Sequence, residues 1–172
     1  MTEGPGGPPD ATSEEGGGRA GRDRQRFYLH PGQVFVFPDP TEVTTVLGSC
    51  VAVFVFDPVL RLGGTNHYLL PHWVGNGLSS ARFGNVAVRS LIEKMLALGG
   101  QKQSLQAKVF GGACVVDAFQ GRGEQLGAKN SDLALRILRQ EGIPVVAEDV
   151  GGRRGRKVIF HTDTGVALVR LI

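Results

Sequence analysis

The chain has few of the residues that mark a special environment. Its 172 residues include two cysteines, two methionines, two tyrosines and one tryptophan. Cys50 and Cys114 allow one bridge at most, which excludes a disulfide-dense secreted scaffold; a reduced, cytoplasmic protein with free thiols is the expectation. No apolar run is long enough to span a bilayer, so membrane insertion is not expected. The N-terminus lacks an apolar h-region, and no signal peptide is expected. His30 and His161 have no companion ligand at a metal spacing, so a zinc site is not expected. The net charge is only +3, and no aromatic platform interleaves the basic residues, which argues against a nucleic-acid partner.

Glycine, by contrast, is plentiful at 26 residues, and many occur in pairs that mark tight turns. Residues 1–26 are rich in Gly, Pro, Glu, Asp and Arg and hold almost nothing to bury. They read as a disordered tail, because burial cannot offset their ordering entropy. Residues 27–172 suit one domain with a substantial core.

Hydrophobic periodicity divides that domain. Residues 34–37, 43–47 and 51–56 are short, β-prone runs, and 51–56 is apolar on both faces, as expected of a strand covered on both sides. Gly63-Gly64 opens another apolar run, His67-Tyr68-Leu69-Leu70, which Pro71 closes. Across residues 86–98 the period lengthens: Val88, Leu91, Ile92, Met95 and Leu96 share one helical face, while Arg89, Glu93 and Lys94 take the other. Gly84-Asn85 starts this predicted helix and Gly99-Gly100 ends it. Residues 107–110 form a strand stopped by Gly111-Gly112. A second helix is predicted over 131–141, capped by Asn130 or Ser131 with Gly142 past its end. Residues 143–149, 157–160 and 166–171 read as strands, the first two joined by the turn 151–155. This order predicts a mixed α/β layer protein, without internal repeats.

The chemistry concentrates in Thr44-Thr45-Val46-Leu47-Gly48-Ser49-Cys50 and Gly63-Gly64-Thr65-Asn66-His67. Together they place one thiol and one imidazole at the ends of two strand-like segments. A thiol is mostly protonated at neutral pH, with an ordinary pKa of about 8.5, and a neighbouring imidazole can take its proton to arm it for attack on an amide carbonyl. Set against this, a cysteine in a strand is commonly just a small core residue, as Cys114 is expected to be. A third group must orient the imidazole. Thr44 and Thr45 alternate faces of one strand, so only one can point at His67, and the residues leave that choice open. His72 and Trp73 read as loop residues beside the cleft. Arg153, Arg154, Arg156 and Lys157 make a basic turn, either a solvated hairpin or a patch for an acidic partner.

The segments Leu47-Gly48-Ser49-Cys50-Val51-Ala52-Val53, Asp57-Pro58 and Gly63-Gly64-Thr65-Asn66-His67-Tyr68-Leu69-Leu70-Pro71 closely resemble the CheD family of chemoreceptor glutamine deamidases. The likeness continues through Arg82-Phe83-Gly84-Asn85, Lys108-Val109-Phe110-Gly111-Gly112-Ala113, Gly127-Ala128-Lys129-Asn130 and the stretch 142–152. It leaves only the tail uncovered. The resemblance implies a protein-glutamine glutaminase that converts glutamines of methyl-accepting chemotaxis receptors to glutamates through a thioester, releasing ammonia without a cofactor. The fold it implies is a layered α/β sandwich of mixed β-sheets with flanking helices, similar to the catalytic domain of cytotoxic necrotizing factor toxins. Carried over by position, Cys50 matches the nucleophile, His67 the general base and Thr44 the orienting residue. Gly111 and Gly112 match a glycine motif that lets backbone approach the site closely; with Ser49 they are the candidates to line the site or meet an oxyanion, through the Gly111-Gly112 amides in particular. Three positions depart from the family's usual residues: Lys129 in place of an arginine, Thr65 in place of a methionine, and Cys114 after the glycine pair.

The family also implies docking to a CheC-type phosphatase, so a regulatory binding module is the alternative reading. A thiol peptidase or acyltransferase using the same Cys-His pair is a third. The intact Thr44, Cys50 and His67 favour the enzyme.

Overall fold

A computed structural model describes residues 23–115 and 122–172. Most of the expected tail lies outside the described residues, but its boundary moves. Strand β1 (Gln25–Tyr28) already includes Gln25 and Arg26, and Arg24 is ion-paired to Asp163 at 2.7 Å. The folded domain therefore begins before Phe27.

The chain then runs through β2 (Val34–Phe37), β3 (Thr41–Leu47), β4 (Val51–Asp57), β5 (Leu62–Asn66), helix α1 (Gly84–Ala97) and a short 3-10 turn. Strand β6 (Gln106–Gly111), helix α2 (Arg122–Gln140), β7 (Val145–Val150), β8 (Arg156–His161) and β9 (Ala167–Leu171) follow. The strands form two mixed sheets. One has the order β1-β3-β8-β9 and the other β2-β5-β4-β6-β7. Each has one parallel pair, β1 with β3 and β6 with β7.

Strand β4 shows why the layers stack as they do. Val51, Val53 and Val55 point into a core shared with Ala87, Leu91 and Met95 of α1 and with Ala134, Ile137 and Leu138 of α2. Ala52 and Phe54 point the other way, into a second core with Val43 and Leu47 of β3 and Val158 and Phe160 of β8. One apolar strand thus serves two hydrophobic interfaces, as its unbroken apolar run requires. The molecule has three layers: four-stranded sheet, five-stranded sheet, helix pair.

Helix α1 follows its predicted pattern, with Val88, Leu91, Ile92 and Met95 buried. It ends where Gly99 adopts φ +98°, the left-handed position at which a helix terminates most cheaply with glycine.

Two predicted elements are displaced. Leu62–Asn66, including both glycines, forms the strand β5, whereas the apolar run after it contributes only the isolated bridge Val51–Tyr68. Helix α2 starts at Arg122, nine residues before the expected Ser131, so Asn130 and Ser131 lie inside it rather than capping it. The cause is tertiary. Gly127 lies against the turn after β6, where an added Cβ would meet the Gly112 carbonyl oxygen at 2.3 Å. A residue without a side chain lets the helix continue across that turn. Among the described residues no helix is long and apolar enough to cross a membrane.

Candidate active site

Register places the thiol and the imidazole on one face of the sheet. The β4–β5 ladder pairs Phe54 with Thr65 and Val55 with Gly64, and the bridge between Val51 and Tyr68 keeps the same register. His67 therefore stands opposite Ala52, and Leu69 opposite Cys50. In an antiparallel pair opposed residues share a face, and so do residues two apart on one strand. Cys50 and His67 are thus diagonal neighbours on the face turned toward the four-stranded sheet, a separation side chains can bridge. Consistent with this, the half-buried Cys50 packs against the inter-sheet core.

The backbone of His67 is fixed from the β2 side. Its N–H donates to Gln33 O at 3.1 Å, and its carbonyl accepts from Gly32 N at 2.7 Å. The neighbouring Asn66 uses its side-chain Oδ1 to accept the Val53 N–H at 3.0 Å, so the ladder stays bonded beside the imidazole.

The hydroxyl that meets the imidazole belongs to Thr45, not Thr44. Thr45 is fully buried, and its Oγ1 lies 2.9 Å from His67 Nδ1. Thr44 points to the opposite face of β3, where it pairs with Ile159 in the register with β8. The expectation that Thr44 orients His67 is therefore corrected by strand parity: Thr41, Val43, Thr45 and Leu47 face inward, and Glu42, Thr44 and Val46 face outward.

This contact also fixes the imidazole tautomer. Thr45 Oγ1 donates its single proton to the Leu29 carbonyl at 2.9 Å, so toward His67 it can only accept. Nδ1 therefore carries the hydrogen, and Nε2 presents a lone pair. That Nε2 is buried and has no hydrogen-bond partner among the described residues. It is available to take a proton.

Burial sets the resting charges. It lowers the His67 pKa to about 4, with a smaller contribution of the same sign from His30 and an opposing one from the Leu29 carbonyl. Burial also raises the Cys50 pKa, opposed by the residue's own N–H. Both effects disfavour charge, so thiol and imidazole rest neutral. The arrangement suits proton transfer during attack better than a standing thiolate–imidazolium pair.

The glycine turn is built into the floor beneath Cys50. Gly111 adopts φ +113°, and an added Cβ there would lie 2.2 Å from the Cys50 carbonyl oxygen. Gly112 N donates to that same carbonyl at 2.9 Å, and Ala113 N to Gly48 O at 2.8 Å. The Gly112 amide is thus already engaged, which corrects its reading as an oxyanion donor. The amides of Ser49 and Cys50 donate to no acceptor among the described residues.

Two neighbours of the site differ from their sequence reading. Asn130 is fully buried and donates from Nδ2 to Ser49 O at 3.0 Å and Leu69 O at 2.9 Å. Arg156 belongs to the basic turn read as a solvated hairpin or a patch for an acidic partner, yet it is 3% exposed. It binds Asp149 at 2.7 Å and Gly151 O at 2.9 Å. Arg153 and Arg154 are exposed, as a solvated turn predicts. His72 is exposed and Trp73 half-buried, its backbone clasped by Asn85. Cys114 is half-exposed rather than buried in the core, and with Gly112, Ser131 and Asp132 it lines a cleft of about 400 Å³.

Comparison with known proteins follows the same lines. The family model CheD, described as CheD chemotactic sensory transduction, matches residues 69–171. That span begins just after His67. A relative from Anaeromyxobacter dehalogenans (strain 2CP-C), named probable chemoreceptor glutamine deamidase CheD 1, is 52% identical over 171 residues. The alignment covers 99% of each chain, and so includes Cys50 and His67. Probable chemoreceptor glutamine deamidases CheD from Sulfurimonas denitrificans and Trichlorobacter lovleyi are 41% and 44% identical, covering 86% and 84% of this chain and 95% and 89% of their own. Among solved structures, Bacillus licheniformis hypothetical protein YfiH aligns at a TM-score of 0.42 and 14% identity, covering 67% of this chain and 49% of that one.

Proposed function

The chain belongs to the CheD family, and on that premise we propose that it deamidates glutamine side chains of chemoreceptors, with Cys50 as nucleophile, His67 as base and acid, and Thr45 as the residue that orients His67. The observation that carries this reading is the tautomer of His67: a buried Nε2 lone pair on the strand face that also holds a cysteine.

In the first step the Cys50 thiol passes its proton to His67 Nε2 as the sulfur attacks the carboxamide carbon. The imidazolium is stabilised at Nδ1–H by the Thr45 oxygen, whose own proton is held by the Leu29 carbonyl. The oxyanion is met by the Cys50 N–H, with the Ser49 N–H as the second candidate donor. His67 returns its proton to the departing nitrogen, ammonia leaves, and a thioester to Cys50 remains. Water, deprotonated by the now neutral His67, attacks the thioester carbonyl; the C–S bond breaks, and glutamate and the thiol are released. Atoms and charges balance without a metal or organic cofactor.

Three further points belong to the same proposal. The two-sheet stack, with the nucleophile at the start of β4 and the base just past β5, is read as akin to the catalytic domain of cytotoxic necrotizing factor toxins. A CheC-type phosphatase is read as a docking partner on the strength of family membership, and co-purification with such a protein tests it. The site of action is read as the cytoplasm, where receptor signalling domains lie.

Incubating a receptor cytoplasmic fragment with the wild-type protein or with Cys50→Ala, followed by peptide mass spectrometry, tests the reading. Glutamine-to-glutamate conversion by the wild type alone supports it. Main-chain cleavage at the same site would point instead to a thiol peptidase.

A further inference from the structure

Asn130 joins the helix layer to both strands that carry the reacting groups. Its backbone lies inside α2, with no part of the residue exposed to solvent. Both acceptors of its side-chain amide sit where the β4–β5 ladder stops. The last rung is the Val51–Tyr68 pair, with Val51 N to Tyr68 O at 3.1 Å and Tyr68 N to Val51 O at 2.9 Å. One step beyond it the strands part, because Leu69 and Leu70 both donate their N–H groups to Arg82 O. The carbonyls of Ser49 and Leu69 are left facing the helix, and the Asn130 Nδ2 group donates to both. Tyr68 returns the contact, donating its hydroxyl to the Asn130 main-chain carbonyl.

One of those carbonyls is adjacent in the chain to Cys50, and the other lies two residues past His67. The amide therefore does the work of the missing rung, from the side of the sheet opposite the thiol and the imidazole. The chemistry selects the residue type. Two donors on one planar group suit two carbonyls, whereas an aspartate of the same shape presents only acceptors to them. An asparagine inside a helix carries a propensity penalty, which its two side-chain hydrogen bonds offset here.

We propose that Asn130 is a positioning residue of the reaction, an amide clamp that holds the Cys50 segment in register with the His67 segment. The inference rests on the deamidase reading of Cys50 and His67. A misplacement of about 1 Å between reacting groups costs on the order of a hundredfold in rate, which is the scale of effect the clamp protects.

The test compares Asn130→Asp and Asn130→Ser with the wild type and with Ile137→Val, a core change in the same helix that touches neither carbonyl. Three quantities are read on folded protein, checked by circular dichroism: kcat and KM for a receptor fragment, and the rate at which iodoacetamide alkylates Cys50. Asn130→Asp is expected to lower kcat about a hundredfold with little change in KM. Cys50, freed from its half-buried seat, should be alkylated several-fold faster. Ile137→Val should lower thermal stability and leave both rates unchanged. Asn130 variants that lose thermal stability yet keep the wild-type kcat and alkylation rate would reduce the residue to a structural role and overturn the proposal. The alkylation rate needs no receptor, so it judges the clamp even if the wild type leaves every receptor glutamine intact, a result that would fail the deamidase reading instead.

Discussion

Thr45 Oγ1 stands 2.9 Å from His67 Nδ1 while giving its proton to the Leu29 carbonyl, so a residue of the four-stranded sheet decides the tautomer of a base carried by the five-stranded sheet. The proposed chemistry depends on this inter-sheet contact, and the two threonines of β3 separate it from mere proximity. Thr45→Ala is expected to lower kcat by about 10- to 100-fold, the loss of one hydrogen bond to a group that becomes charged. Thr44→Ala, on the outer face, should stay near wild type. Steady-state deamidation kinetics of the two variants check this; a loss confined to Thr44→Ala would return the orienting role to Thr44.

The resting charges predict how Cys50 responds to pH. Burial raises its pKa and holds His67 neutral down to about 4, so no thiolate is stored at neutral pH. Alkylation of Cys50 by iodoacetamide should keep rising through pH 7 to 9. A plateau reached below neutrality would reveal a standing ion pair and contradict the proton-transfer step.

The same burial links stability to pH. The folded-state pKa of His67 is depressed from 6.5 to about 4. Between these values the unfolded chain binds a proton that the folded chain does not, so this group makes stability rise with pH across the window. Its contribution is fully present above 6.5 and is lost as pH falls toward 4, a swing of at most about 3 kcal/mol. Denaturant unfolding of wild type and His67→Gln at pH 4.5 and 7 measures it. The variant should lose part of the acid sensitivity, and an unchanged slope would count against a buried neutral imidazole.

Close approach, rather than glycine content, should decide which turns tolerate a side chain. Gly111→Ala places a methyl group 2.2 Å from the Cys50 carbonyl oxygen at φ +113°. It is expected to cost more than about 3 kcal/mol or to prevent folding. Gly152→Ala has φ +73° and open space around the added carbon, so it should cost only about 1–2 kcal/mol. Thermal melts of the pair distinguish clash from backbone strain.

The N-terminal boundary is testable by truncation. A chain beginning at Phe27 loses the Arg24–Asp163 ion pair and half of β1. It should be less stable than one beginning at Asp23 by about 1–3 kcal/mol, the scale of a few hydrogen bonds. Equal stabilities would restore the boundary to Phe27.

Much of this site was legible in the sequence, and the exceptions have physical causes. The double-sided apolar run at β4 announced a buried strand, and Gly48-Ser49 before Cys50 marked where the thiol would emerge. The choice between Thr44 and Thr45 was also written in the chain. Thr45 shares parity with the apolar Val43 and Leu47, and Thr44 with Glu42, so the alternation of β3 carries the signal that positional matching overrode. Helix α2 was less accessible. Gly127 and Asn130 are poor helix formers, and Asn130 reads as a cap because their compensation lies elsewhere in the fold, at Gly112 and at the Ser49 and Leu69 carbonyls. Arg156 failed for a similar reason: its neighbours Arg153 and Arg154 are solvated, and only the pairing with Asp149 across the turn shows that it is not.

The most direct test of the central claim is the mass of receptor peptides after incubation with wild-type protein, Cys50→Ala or His67→Ala. The account predicts conversion of particular glutamines to glutamates by the wild type, with no conversion by either variant although both remain folded. Conversion sustained by Cys50→Ala would contradict it.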